Sequence, residues 1–126
     1  MSRILVIDDD PMVRDTLRLI LTAAGHQVAL AFDGKAGLKA FGELNPDLVI
    51  TDILMPEKEG IETIGELRQM AAQVPIIAVS GGGRVGNMDF LAAAQHFGAD
   101  RSFSKPFEPE HILDAVSELL QRAAAA

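Results

Sequence analysis

The chain has 126 residues, 48% of them hydrophobic and 23% charged, which suits one domain with its own core and is short for two. It contains no cysteine, which excludes disulfides and thiolate metal sites. A net charge of −7 argues against direct binding to nucleic acid, which needs clustered Lys and Arg to neutralise phosphates.

The apolar runs are too short to cross a bilayer, so no membrane contact is expected. The opening MSRILVIDDD meets acids too early to read as a signal peptide, and cytoplasmic residence is the default expectation. Residues 3–8 form an apolar run that ends on Asp8. In residues 11–24, Val13, Leu17, Ile20, Leu21 and Ala24 follow helical spacing, and Gly25 stands just past the end. Residues 27–31 (QVALA) predict a short strand, and 35–44 a helix that buries Leu38, Phe41 and Leu44. A third strand is expected over 47–52, after a turn at Asn45-Pro46.

Residues 55–60 read as a loop, followed by a helix through Ile61, Ile64, Leu67 and Met70. The strand 75–80 runs into Gly81-Gly82-Gly83, and a helix is expected near 87–97. Gly98-Ala99 turns the chain into a brief strand near 101–104. The last helix is predicted over about 109–122, with 123–126 as a frayed alanine tail outside a domain of residues 1–122. Strands alternating with helices of this size imply right-handed crossovers and a doubly wound α/β fold, a five-stranded parallel sheet covered on both faces.

The polar residues at the strand ends carry the chemistry. Asp8 and Asp9, Asp52, Ser80 and Lys105 each follow an apolar run, and ligands of open α/β sheets bind at the carboxyl ends of the strands. Asp10 precedes Pro11 and predicts a helix cap, since Asp at the cap with Pro at the first helical position is a standard start. Capping leaves Asp8 and Asp9 unexplained. With Asp52 they would bring three carboxylates together, a donor set that suits Mg²⁺. A buried Asp52 needs partners, which Lys105 and a metal would supply. Held that way, a carboxylate is a workable nucleophile toward phosphorus. Ser80 could donate to a phosphoryl oxygen while Gly81 admits the group closely.

The segments ILVIDDD, DLVITDILMP followed by EKEG, PIIAVS, GAD and SKPF, in this order and spacing, resemble the receiver domain of two-component response regulators over essentially the whole chain. The resemblance implies a flavodoxin-like sheet of order 2-1-3-4-5. It implies that Asp52 accepts a phosphoryl group from a histidine kinase or phosphotransfer protein, and that Asp8, Asp9, Asp52 and the Leu54 carbonyl hold Mg²⁺. Ser80 and Lys105 would bind the phosphoryl group, and Lys105-Pro106 would be a cis peptide bond. The output surface would lie around the helix near 87–97, the strand near 101–104 and the last helix. It would pass the signal to a downstream protein or a linked output domain, the chain being either a stand-alone receiver or part of a longer regulator.

Three departures stand out. Ser102 occupies the place of an aromatic residue whose rotation usually reports the hydroxyl's movement, and Phe103 follows it. The stretch from Ser80 to Lys105 is longer than usual and rich in glycine. Leu54 and Gly82 stand where polar side chains orient a hydrolytic water in some relatives, which implies a long-lived phosphoryl group.

Rival readings are weaker. Gly81, Gly83 and Gly86 spell G-x-G-x-x-G, but after the fourth strand and without the acid that a dinucleotide site requires. Asn87-Met88 replace the Lys-Ser/Thr of a phosphate-binding loop. Asp8 and Asp10 nominally match the D-x-D of haloacid dehalogenase-type hydrolases, which would place the phosphate on Asp8. A pseudo-receiver, a pure interaction module that accepts no phosphate, is the remaining alternative.

Overall fold

The computed structural model describes residues 2–53, 60–80, 94–96 and 98–125. Five strands, β1 (Arg3–Ile7), β2 (Gln27–Ala31), β3 (Leu48–Asp52), β4 (Ile76–Ser80) and β5 (Arg101–Ser104), form one sheet of order β2-β1-β3-β4-β5. Every pairing is parallel, as the alternating pattern requires. Four helices, α1 (Pro11–Ala23), α2 (Gly34–Leu44), α3 (Gly60–Met70) and α4 (Pro109–Ala125), complete the described elements, with residues 94–96 also helical. The rest of the helix expected near 87–97 lies outside the described residues.

Side-chain alternation along the strands separates two cores. Leu5, Ile7, Val49, Ile76 and Ala78 meet Phe41 of α2, Ile64 and Leu67 of α3, and Ala94. Ile4, Val6, Leu48, Ile50, Ile77 and Val79 face Leu17 and Leu21 of α1 and Ile112, Val116 and Leu119 of α4. The central strands β3 and β4 are buried throughout, whereas the edge strands β2 and β5 are partly exposed. On the first face Gly37 lets α2 close onto β1, because a Cβ there would sit 2.7 Å from Ile7 Cγ1.

Local signals place the helices. Asp10 caps α1 by accepting from the Met12 N–H, with Pro11 opening the helix, and Gly25 takes φ 96 just beyond its end. Asp33 caps α2, whose far end closes on Asn45 in the left-handed conformation. Two expectations change. Leu38 and Leu44 of α2 are only half-buried, and α4 continues through Ala125 rather than ending at 122. Alanine has the highest helix propensity, so helix extends over residues read from the sequence as a frayed tail.

A second cation organises the opposite edge of the sheet. Arg68 of α3 donates to the carbonyls of Gly98, Ala72 and Val74 at 2.7, 3.2 and 2.5 Å and pairs with Asp100 at 2.8 Å. Asp100 in turn accepts from the Ile76 N–H where β4 begins. Gly98 adopts φ 131 with Arg68 lying against it, a place where a Cβ would meet Arg68 Cγ at 2.7 Å. The Gly98-Ala99 turn was legible in the sequence; the arginine that grips it was not.

Candidate functional site

β1, β3, β4 and β5 deliver Asp8, Asp52, Ser80 and Lys105 to one edge, each at or just beyond its strand's carboxyl end. Asp8, Asp52 and Ser80 are buried, while Asp9 is exposed. Carboxylate oxygens of Asp8, Asp9 and Asp52 all lie within 4.8 Å of one another. The set is all hard oxygen, with one exposed member open to solvent. That fits Mg²⁺, which takes few protein carboxylates and keeps several waters.

Asp8 is held through both its main chain and its side chain. Its N–H continues the sheet ladder to the Ala31 carbonyl at 3.1 Å, and its own carbonyl accepts from Arg14 Nη1 at 2.8 Å. Its Oδ1 accepts from the Asp10 N–H at 2.9 Å and its Oδ2 from Lys105 Nζ at 2.9 Å. Asp52 Oδ2 lies 3.4 Å from the same ammonium. Sequence reasoning paired Lys105 with Asp52; Asp8 proves the nearer partner. Two buried carboxylates in one site repel each other, and an ammonium shared between them offsets that cost.

Burial alone would lower the Lys105 pKa. The hydrogen bond to Asp8 and the charges of Asp52 and Asp8 outweigh it, so the ammonium is held above its ordinary value of 10.5. It is fully charged at neutral pH. The Lys105 N–H also donates to the Ser80 carbonyl at 2.7 Å, fastening the ends of β4 and β5 together, and the Lys105-Pro106 bond is cis.

Leu54, Gly81, Gly82 and Gly86 lie outside the described residues. Ser102 is described, and its hydroxyl accepts from Gln95 Nε2 at 3.1 Å. Ser102 pairs with Ala78 and Phe103 with Val79, so the two side chains leave opposite faces of the sheet. Phe103 packs against the core under α1 and α4, and cannot stand in for an aromatic at Ser102. His26, His96 and His111 are scattered, and none lies inside the acid cluster. Arg14 was missed, because an arginine six residues from the acid it serves carries no motif.

The response regulator receiver domain family matches residues 4–117. The chain belongs to that family. This receiver domain is 37% identical over 120 residues to response regulator MprA of Mycolicibacterium vanbaalenii, covering 95% of the chain and 51% of that protein. It spans about half the length of the curated relatives it matches. Among solved structures, a receiver domain protein from Clostridium thermocellum superposes with TM-score 0.92 at 27% identity, over 99% of the chain and 98% of its own. The response regulator TrrA from Thermotoga maritima, solved in complex with Mg²⁺-BeF, superposes with TM-score 0.84 at 33% identity, over 94% and 99%. Family and strand order agree with the fold and family expected from the sequence. Membership in the receiver family displaces the dinucleotide and hydrolase readings. Among the described residues, no helix is long and apolar enough to cross a membrane.

Proposed function

We propose that this receiver domain is a phosphorylation-dependent signalling switch that accepts a phosphoryl group on Asp52. The donor is a histidine kinase or phosphotransfer protein, and the cofactor is Mg²⁺ held by Asp8, Asp9, Asp52 and the Leu54 carbonyl. The observation that carries this reading is the buried Asp52 carboxylate at a strand end, 3.4 Å from an ammonium and within 4.8 Å of two further acids.

In the transfer, an Asp52 carboxylate oxygen forms a bond to phosphorus as the bond from phosphorus to the donor's imidazole nitrogen breaks. The electron pair leaves with the imidazole, which takes up a proton. Such transfers depend mainly on position and neutralised charge. Bound Mg²⁺ would supply charge neutralisation at the phosphoryl oxygens. Lys105 would turn from Asp8 toward the same oxygens, and the Ser80 hydroxyl would donate to one of them beside Gly81. The surface around residues 94–96, β5 and α4 would then change its population of states. It would read out to a downstream protein or a linked output domain, with no nucleic acid or membrane bound by this domain itself. On this reading the domain is a cytoplasmic phospho-acceptor and not an enzyme acting on a separate substrate.

Incubation with Mg²⁺ and a small phosphodonor, followed by intact-mass measurement, tests the proposal. The mass should rise by one phosphoryl group, and Asp52→Asn should abolish the gain. No gain in the wild type would leave the pseudo-receiver reading standing. A gain that survives Asp52→Asn would place the chemistry elsewhere.

A further inference from the structure

Arg14 sits between two opposing influences, the positive end of α1 and the acids that precede it at Asp8, Asp9 and Asp10. Its N–H makes the first main-chain bond of α1, to the Asp10 carbonyl at 3.0 Å, so its charge lies near the positive end of the helix. No acid stands within the first turn itself; the nearest are the cap Asp10 and the acids before it. The side chain instead runs back along the chain, past the cap, and donates to the Asp8 carbonyl at 2.8 Å. That carbonyl belongs to the residue where the β1–β2 ladder stops: the Asp8 N–H still reaches Ala31, and Arg14 takes up the other side of the residue.

The Asp8 carbonyl is also half of the peptide that joins Asp8 to Asp9. A peptide unit is planar, so fixing its oxygen fixes the direction in which the next residue leaves. The Asp8 side chain is independently held through both oxygens, by Asp10 and Lys105. Asp9 is exposed and gains no such hold from burial, yet one of its oxygens lies within 4.8 Å of those of Asp8 and Asp52. We infer that Arg14 is a positioning residue for the metal-binding acids: by gripping the Asp8 carbonyl it orients the Asp8–Asp9 peptide and aims Asp9 into the cluster. The inference rests on the metal reading of the cluster given above.

Two consequences of removing Arg14 oppose each other, which makes the test decisive. Losing a positive charge beside three acids should tighten the binding of a cation. Losing the orientation of Asp9 should weaken it. Partners that orient metal ligands typically contribute 10–100-fold to affinity. The experiment titrates Mn²⁺ into wild type, Arg14→Met, Arg14→Lys and Asp9→Asn, following free ion by electron paramagnetic resonance, with circular dichroism to verify folding. Arg14→Met should bind about tenfold more weakly, with Arg14→Lys, which keeps the charge and one donor, in between. Affinity in folded Arg14→Met that equals or exceeds wild type overturns the inference while leaving the metal site intact. A wild type that binds no Mn²⁺, or binds it equally after Asp9→Asn, overturns the metal reading and this inference together. Should Arg14→Met fail to fold, Arg14→Gln carries the same comparison, and wild-type affinity there is equally fatal.

Discussion

At the carboxyl edge of the sheet, Lys105 Nζ lies 2.9 and 3.4 Å from two buried carboxylates, with a third acid close by. At the amino edge, the Arg68 guanidinium meets four main-chain carbonyls and the Asp100 carboxylate. Both arrangements join elements distant in sequence, but their charge balance is opposite. Arg68 is surrounded by acceptors and carries one neutralising acid, so the amino edge is complete as it stands. Lys105 is outnumbered by acids, which leaves the carboxyl edge short of positive charge. The first is a fastening; the second, on the function proposed above, takes up a cation. On that reading the amino edge serves mainly to hold the fold, and the carboxyl edge serves the chemistry.

Removing each cation in turn should separate the two roles. Lys105→Met should slow phosphorylation by a small phosphodonor by on the order of 10²-fold, the usual loss when one preorganised charge is taken from a transition state. Retained helical circular dichroism would show that the fold survives it. Arg68→Met should do the reverse. It leaves the Gly98 and Val74 carbonyls without their donor and Asp100 without its ion-pair partner, which should cost about 2–3 kcal/mol in urea unfolding with little effect on the phosphorylation rate. A slowed rate in folded Arg68→Met would show that the two edges are not independent.

The smallest effect is with pH. Because Lys105 is raised above 10.5 in the folded protein, its pairing adds stability that is whole below pH 10.5 and is lost as pH climbs through the raised value. Arginine does not titrate in that range. Thermal melts of wild type and Lys105→Met should therefore differ by a constant amount up to about pH 10.5 and converge above it. Convergence at neutral pH would contradict the assigned pairing.

What could be read in advance follows from the kind of signal. Strand ends are marked by apolar runs meeting polar residues, so Asp8, Asp52, Ser80 and Lys105 are legible as one edge from the sequence alone. Asp10 as a cap was legible because Asp before Pro has a local mechanism. Arg14 and Arg68 were not, since a side chain reaching a carbonyl answers to no periodicity and any exposed arginine looks alike in sequence. The preference of Lys105 for Asp8 over Asp52 depends on differences below an ångström, which spacing along a chain cannot carry. The contact between Gln95 and Ser102 belongs to the same class: nothing in their spacing predicts that the fold sets them 3.1 Å apart.

The bond from Lys105 to Asp8 joins residues 97 positions apart. Closing so long a span carries a loop-closure entropy that the assembled sheet must offset. A growing polypeptide emerging from the ribosome would present Asp8 and Asp52 long before the strand that delivers the lysine. The ammonium therefore reaches its acids only once β5 has joined the sheet, and the pair marks that closure.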